Sequence, residues 1–120
     1  MTPFGQKIRE LRTAKGISQA AMAKALHVSP AYLSALERGK RGKPSWGLVQ
    51  SIIAFFDIIW DEAEELQNLA KLSHPKITVD TSGLSANATK LANLISRDVA
   101  KLSEQQIDRM LKILSEKTTK

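Results

Sequence analysis

Signals that start and stop helices recur along this chain and cut it into short helical segments. Thr2-Pro3, Ser18, Ser29-Pro30, Ser45 and Ser103 each put a capping hydroxyl before residues that suit a helix. A Ser or Thr there accepts from an unpaired backbone N–H, and Pro at the first helical position loses no N–H the helix needs. Gly16 and Gly39 supply stops, since glycine takes the left-handed conformation without steric cost. A chain cut this way folds as a packed set of short helices, so the fold class read from it is all-α.

The apolar residues repeat at helical spacing within these segments. Phe4, Ile8 and Leu11 stripe the first helix, and Ala21, Met22, Ala25 and Leu26 the second. Leu33 and Leu36 face inward from the third. The fourth carries Leu48, Ile52 and Phe55 or Phe56, and Asp57 to Ile59 is a short break. Asp61, Glu62, Glu64 and Glu65 follow, and the first of them suit a fifth helix's N-terminus, where the macrodipole favours negative charge. That helix is expected to run to about His74-Pro75. Residues 75–83 change character: Ile77-Thr78-Val79 is β-branched and Asp80-Thr81-Ser82-Gly83 is turn chemistry, which reads as an extended linker or one short strand. From Ser85 to Leu102 a sixth helix has Leu84, Ala88, Leu91, Ile95, Val99 and Leu102 on its apolar face. Ser103 to Gln106 has the form of a capping box and opens a last helix with Ile107, Met110, Leu111 and Leu114. The chain therefore reads as a helical domain over 1–74, a linker or strand over 75–83 and a two-helix extension over 84–116.

Charge is distributed unevenly. Residues 1–44 hold nine Lys/Arg against two Asp/Glu, whereas residues 45–74 hold one Lys against five Asp/Glu, within an overall net charge of +6. A basic first third fits a polyanionic partner such as nucleic acid, or simply a solvated basic face. The absence of cysteine excludes disulfides, thiolate metal sites and a thiol nucleophile, and fits a reducing compartment such as the cytoplasm. No apolar run approaches the ~20 residues that span a bilayer, and the charged, amphipathic first residues do not resemble a signal peptide. No spacing of Ser, His and Asp suggests a triad, and no glycine-rich loop suggests a phosphate cradle. His27 and His74 are far apart and do not form a ligand pair. The expectation is a protein without enzymatic activity, metal or cofactor. Trp46 and Trp60 are expected to pack in the core or at its boundary.

The most informative stretch is ISQAAMAKALHVSPAYLSALERGKRGKPS, residues 17–45. It holds two short helices joined at His27-Val28, with small Ala23 where the second must let the third approach. A short helix that starts abruptly at Ser29-Pro30 and stands proud of a small domain can enter a major groove ~12 Å wide. The basic residues just after it fall where flanking phosphates would lie.

With Ile8–Arg12 before it and IIWDEAEEL after it, this stretch resembles the phage-repressor/Cro-like, or Xre-type, helix-turn-helix family over roughly residues 4–66. Arg12, Gly16, Ser18-Gln19, Ala23, Leu26, Val28-Ser29, Leu36-Glu37-Arg38-Gly39 and Pro44 fall in the family's order. The resemblance implies a five-helix repressor-like DNA-binding domain in which the helix from Pro30 is the recognition helix. Ser29, Pro30, Ala31, Tyr32, Ser34 and Ala35 are then the candidates for base or groove contact. Gln19, Arg38, Lys40, Arg41 and Lys43 are the candidates for phosphate contact, and Arg12 and Glu37 for an internal ion pair. Two departures stand out. His27 replaces the turn glycine usual in the family. And Pro30, Ala31, Ser34 and Ala35 occupy base-reading positions yet cannot make the bidentate contacts of Arg, Asn or Gln, so readout should rely on thymine methyls, Tyr32 and DNA shape.

The apolar positions in 84–114 exceed what a lone helix needs and serve either an intramolecular core or a dimer interface, with Leu91, Leu94, Ile95, Val99, Met110, Leu111 and Leu114 as the expected contacts. The functional expectation is a regulator of transcription, a repressor, that binds a palindromic double-stranded DNA site as a homodimer. The antitoxin of a toxin–antitoxin pair would use the same DNA-binding half. A helical module that has lost DNA binding would not need the basic loop Lys40-Arg41-Gly42-Lys43.

Overall fold

A computed structural model describes residues 1–40 and 43–117. It contains seven α-helices: α1 (Pro3–Lys15), α2 (Gln19–Leu26), α3 (Pro30–Glu37), α4 (Trp46–Phe55), α5 (Trp60–Lys71), α6 (Ala86–Asp98) and α7 (Glu104–Lys117). A single 3-10 turn, Val99–Lys101, follows α6. Capping hydroxyls account for every helix start but that of α5, which Ile59 precedes. Thr2 Oγ1 accepts from Gly5 N–H at 3.1 Å, and Ser18, Ser29, Ser45 and Ser85 each accept from the N–H three residues on, at 3.0–3.1 Å. Each such cap is worth about 1 kcal/mol. Ser103 and Gln106 form a reciprocal box, with Ser103 N–H donating to Gln106 Oε1 and Gln106 N–H to Ser103 Oγ.

The chain divides into two compact units, residues 1–77 and 78–120. The first has one core to which all five of its helices contribute: Phe4 and Ile8 of α1, Met22, Ala23 and Leu26 of α2, Leu33 and Leu36 of α3, Val49 and Ile52 of α4, and Ile58, Leu66 and Ala70 in and before α5. Removing a side chain of Leu or Phe size from water contributes roughly 1.5–3 kcal/mol. Here α1 packs on α3 and α5, α2 on α3 and α4, and α4 on α5. Lys15 closes the far end: its Nζ donates to Phe55 O at 3.3 Å and lies 5.1 and 5.7 Å from the ring centroids of Phe55 and Phe56. A cation at the C-terminus of α4 is where the helix dipole favours one.

In the second unit no described residue is buried. The apolar stripes of α6 and α7, including Leu91, Leu94, Ile95, Val99, Met110, Leu111 and Leu114, are exposed.

The structure corrects several expectations. On α2 the buried row is Met22, Ala23 and Leu26, while Ala21 and Ala25 are exposed. The eight-residue helix is wedged between α3 and α4, so residues one and four apart face inward. On α4, Val49 is buried and Leu48 only half-buried. Helix α5 ends at Lys71 because Leu72 and Ser73 close onto Leu69 O and Ala70 O in tight turns. Residues 75–83 form no strand: Asp80 Oδ1 accepts from Ser82 N–H at 2.9 Å, Gly83 is left-handed at φ 79°, and no neighbouring strand is present among the described residues.

Trp46 and Trp60 are not in the core. They are 76% and 83% exposed. Each is the first residue of its helix, and a helical Cα–Cβ bond leans toward the N-terminus, so Trp46 points past the end of the core layer that Val49 reaches. Asp57 (φ 53°) and Trp60 (φ 54°) bracket the turn that buries Ile58. Aspartate tolerates the left-handed conformation, but a Trp there is unusual.

His27 is also left-handed, at φ 59°, where its N–H and that of Val28 close α2 onto Lys24 O and Ala23 O. The conformation costs an L-residue roughly 1–2 kcal/mol, and the extra freedom glycine gives the unfolded chain offsets part of the relief. His27→Gly is therefore expected to stabilise the first unit by about 0.5–1 kcal/mol. A thermal midpoint that stays put or falls would show that the turn bears no strain.

Candidate nucleic-acid interface

Helices α2 and α3 meet at a three-residue turn, His27 to Ser29, that His27 reverses and Ser29 terminates by capping α3. Leu33, Leu36 and Glu37 of α3 are buried; Ser29, Pro30 and Ala31 are exposed, and Tyr32, Ser34 and Ala35 partly so. Apart from Tyr32, the exposed and half-buried residues from Ser29 to Ala35 thus have small side chains, on a helix anchored from below. Arg38, Lys40 and Lys43 are exposed next to it, with no carboxylate partner among the described residues. Arg41 lies outside the described residues.

The anchor is polar. Glu37 is only 2% exposed, and its carboxylate accepts three hydrogen bonds. Arg12 Nε donates to Oε2 at 2.8 Å, Arg12 Nη2 to Oε1 at 3.1 Å, and Gln19 Nε2 to Oε1 at 3.0 Å. Arg12 Nη1 also donates to Ile17 O at 3.0 Å, at the entry to α2. One buried carboxylate therefore ties α1 and α2 to the end of α3. Hydrogen bonding to Glu37, opposed by partial burial, raises the Arg12 pKa above its ordinary value. A raised value keeps the guanidinium charged throughout the range in which proteins stay folded, so the pair is not lost from the arginine's side. Gln19, expected at a phosphate, has its side-chain amide donating to Glu37.

The sequence profile of a family described as "Helix-turn-helix domain" matches residues 3–66, just over half of the chain. The chain belongs to the helix-turn-helix domain family. It is 25% identical to the uncharacterised HTH-type transcriptional regulator RghRB of Bacillus subtilis (strain 168) over 123 residues, 93% of this chain and 88% of the relative. It is 38% identical over 71 residues to the HTH-type transcriptional activator BcrR of Enterococcus faecalis, covering 57% of this chain and about a third of BcrR's length. A chain in a solved SinR protein/SinI protein complex, 23% identical, superposes with a TM-score of 0.45 over 98% of this chain and 99% of its own. The Xre-type helix-turn-helix resemblance read from residues 4–66 stands with this family profile, and the chain is similar to transcriptional regulators of that class.

Trp46, expected in the core or at its boundary, is exposed instead, and Gly47 and Gly5 are features that the sequence reading did not single out. Trp46 comes three residues after Lys43 in the chain, and its indole is exposed. A Cβ at Gly47 would meet nothing within 4 Å, so the first turn of α4 is open to a close approach. Their position just after a Lys-rich loop was the available signal. Gly5 carried none: a glycine in a first helical turn looks neutral until the element packed against it is known. No helix is long and apolar enough to cross a membrane among the described residues. The carboxylates of α5 do not gather into a metal-holding group either. Asp61, Glu64 and Glu65, with Asn68 and Leu69, line an open depression of about 340 Å³.

Proposed function

We propose that this regulator binds double-stranded DNA through α3, as a homodimer on a palindromic operator, and acts as a repressor. The observation that carries the reading is the Arg12–Gln19–Glu37 anchor under a helix that exposes Pro30 and Ala31, with Arg38, Lys40 and Lys43 exposed after it. Ser29, Pro30, Ala31, Tyr32, Ser34 and Ala35 lie against the base edges. Ala31 and Ala35 offer methyl contacts to thymine, Tyr32 and Ser34 offer hydroxyls, and DNA shape supplies the rest. Gln19, Arg38, Lys40, Arg41 and Lys43 hold phosphates. The Trp46 indole, a donor on a flat apolar ring, lies along the sugar–phosphate edge.

One such helix covers only a few base pairs, so useful specificity comes from two, about one DNA turn, ~34 Å, apart. The exposed stripes of α6 and α7 supply the pairing surface. Repression follows because occupancy of the operator is sufficient for it.

Selection of bound DNA from a random pool tests the reading. The expected product is an inverted repeat whose half-sites are about 10 base pairs apart, centre to centre. On that DNA, Lys40→Ala and Lys43→Ala each weaken binding to all sequences alike and reduce the salt slope by about one. Substitutions at Ala31 or Tyr32 change sequence preference instead. No enriched sequence, or a Lys43→Ala protein with altered preference and an intact salt slope, contradicts the assignment.

A further inference from the structure

The last turn of α3 is held on a second side, and there the contact is backbone on backbone. A Cβ added at Gly5 would lie 2.5 Å from Leu36 O and 2.8 Å from Glu37 O; one added at Gly39 would lie 2.7 Å from Thr2 N and 2.8 Å from Met1 C and Cα. Contacts that short leave no room for a side chain at either position. Gly39 is in addition left-handed, at φ 72°. Gly5 is not, so space rather than conformation is what requires glycine there.

The segment that presses on α3 is itself latched. Phe4 N–H donates to Ser73 Oγ at 2.9 Å, and the Ser73 hydroxyl donates to Leu69 O at 2.6 Å. Thr2 and Ser73 are both buried. One hydroxyl thus bridges the start of α1 to the end of α5. Directly after the clamped Gly39 comes Lys40, whose N–H donates to Ala35 O at 2.8 Å.

We infer that Gly5, Gly39 and Ser73 are positioning residues for DNA binding: they seat the end of α3 against the first turn of α1 and so set where Lys40 meets the phosphate backbone. The inference rests on the reading of α3 as the DNA-reading helix. Gly5 and Ser73 are buried and act through α3 rather than on the DNA. A bound register is sensitive to sub-ångström shifts in the residues that support the contacting side chains. An alanine at Gly5 forces the Leu36 and Glu37 carbonyls away, and loss of the Ser73 hydroxyl releases the segment that backs them.

The test uses the full chain, the operator obtained by selection, and a temperature at which circular dichroism shows each variant folded. Gly5→Ala is expected to weaken operator binding about tenfold or more and to lower the salt slope by about one as the Lys40 contact is lost. Ser73→Ala does the same to a lesser degree, and decides the matter if Gly5→Ala does not fold. Leu66→Ala, a core change in α5 away from the end of α3, lowers the thermal midpoint but leaves the affinity of the folded protein unchanged. Folded variants that bind as the wild type does, or that lose affinity with the salt slope intact, overturn the inference. A wild-type protein that selects no DNA overturns the functional reading instead, so the two failures are distinct.

Discussion

Glu37→Ala is expected to lower the thermal midpoint of the first unit by roughly 10–25 °C, the consequence of losing about 2–4 kcal/mol. The magnitude comes from what remains behind. Arg12 is only 16% exposed and keeps one partner, Ile17 O, while Gln19 loses the acceptor of its amide. An unpaired, partly buried guanidinium is destabilising beyond the bonds removed, and the stability of a small domain is only about 5–15 kcal/mol in total. Glu37→Gln keeps one acceptor oxygen without the charge and should fall between the two. Operator affinity should drop with Glu37→Ala even where the protein remains folded, because the end of α3 loses its tie to α1 and α2. Differential scanning calorimetry and a binding titration on the same samples check both statements. A midpoint within a degree or two of the wild type would remove the anchor from the account.

Truncation after Ile77 carries the second large effect. The first unit has its whole core within residues 4–70, so it keeps its fold without the rest. The second unit buries none of its described residues and displays Leu91, Leu94, Ile95, Val99, Met110, Leu111 and Leu114 along α6 and α7. The truncated protein is expected to sediment as a monomer and to bind a two-half-site DNA about 10²–10⁴-fold more weakly, the loss that follows when two linked modules become independent. Sedimentation velocity and a titration against one and two half-sites measure both. A truncated protein that stays dimeric with unchanged affinity moves the interface to the first unit. A full-length protein that is monomeric alone, and associates only with a different protein encoded beside it, favours the antitoxin reading.

Most helix starts were legible because they are local events, a hydroxyl and an N–H three residues on, as at Ser18 and Ser29; α5 is the exception, since its N-cap Ile59 makes no side-chain bond. The ion pair at Arg12 and Glu37 was legible only through family resemblance, since the two residues are 25 apart. What escaped the sequence depends on where elements end relative to one another. Trp46 has helical spacing with buried Val49, and only the limit of the core one turn earlier leaves it outside. Ile77 to Val79 has strand-like residues, but a strand exists only where another lies alongside. Gly5 and Ser73 matter through contacts with Leu36 and Phe4, which no local pattern of residue types announces.

The placement of the two tryptophans has a spectroscopic consequence. With Trp46 and Trp60 already in water in the folded protein, unfolding changes the surroundings of neither ring very much, and indole emission is a poor gauge of whether the core is intact. The same placement makes the rings sensitive to whatever approaches from outside. Trp46 opens α4, three residues after Lys43, and Trp60 opens the acidic α5, so emission from each, isolated by replacing the other with Phe, reports on a different helix start.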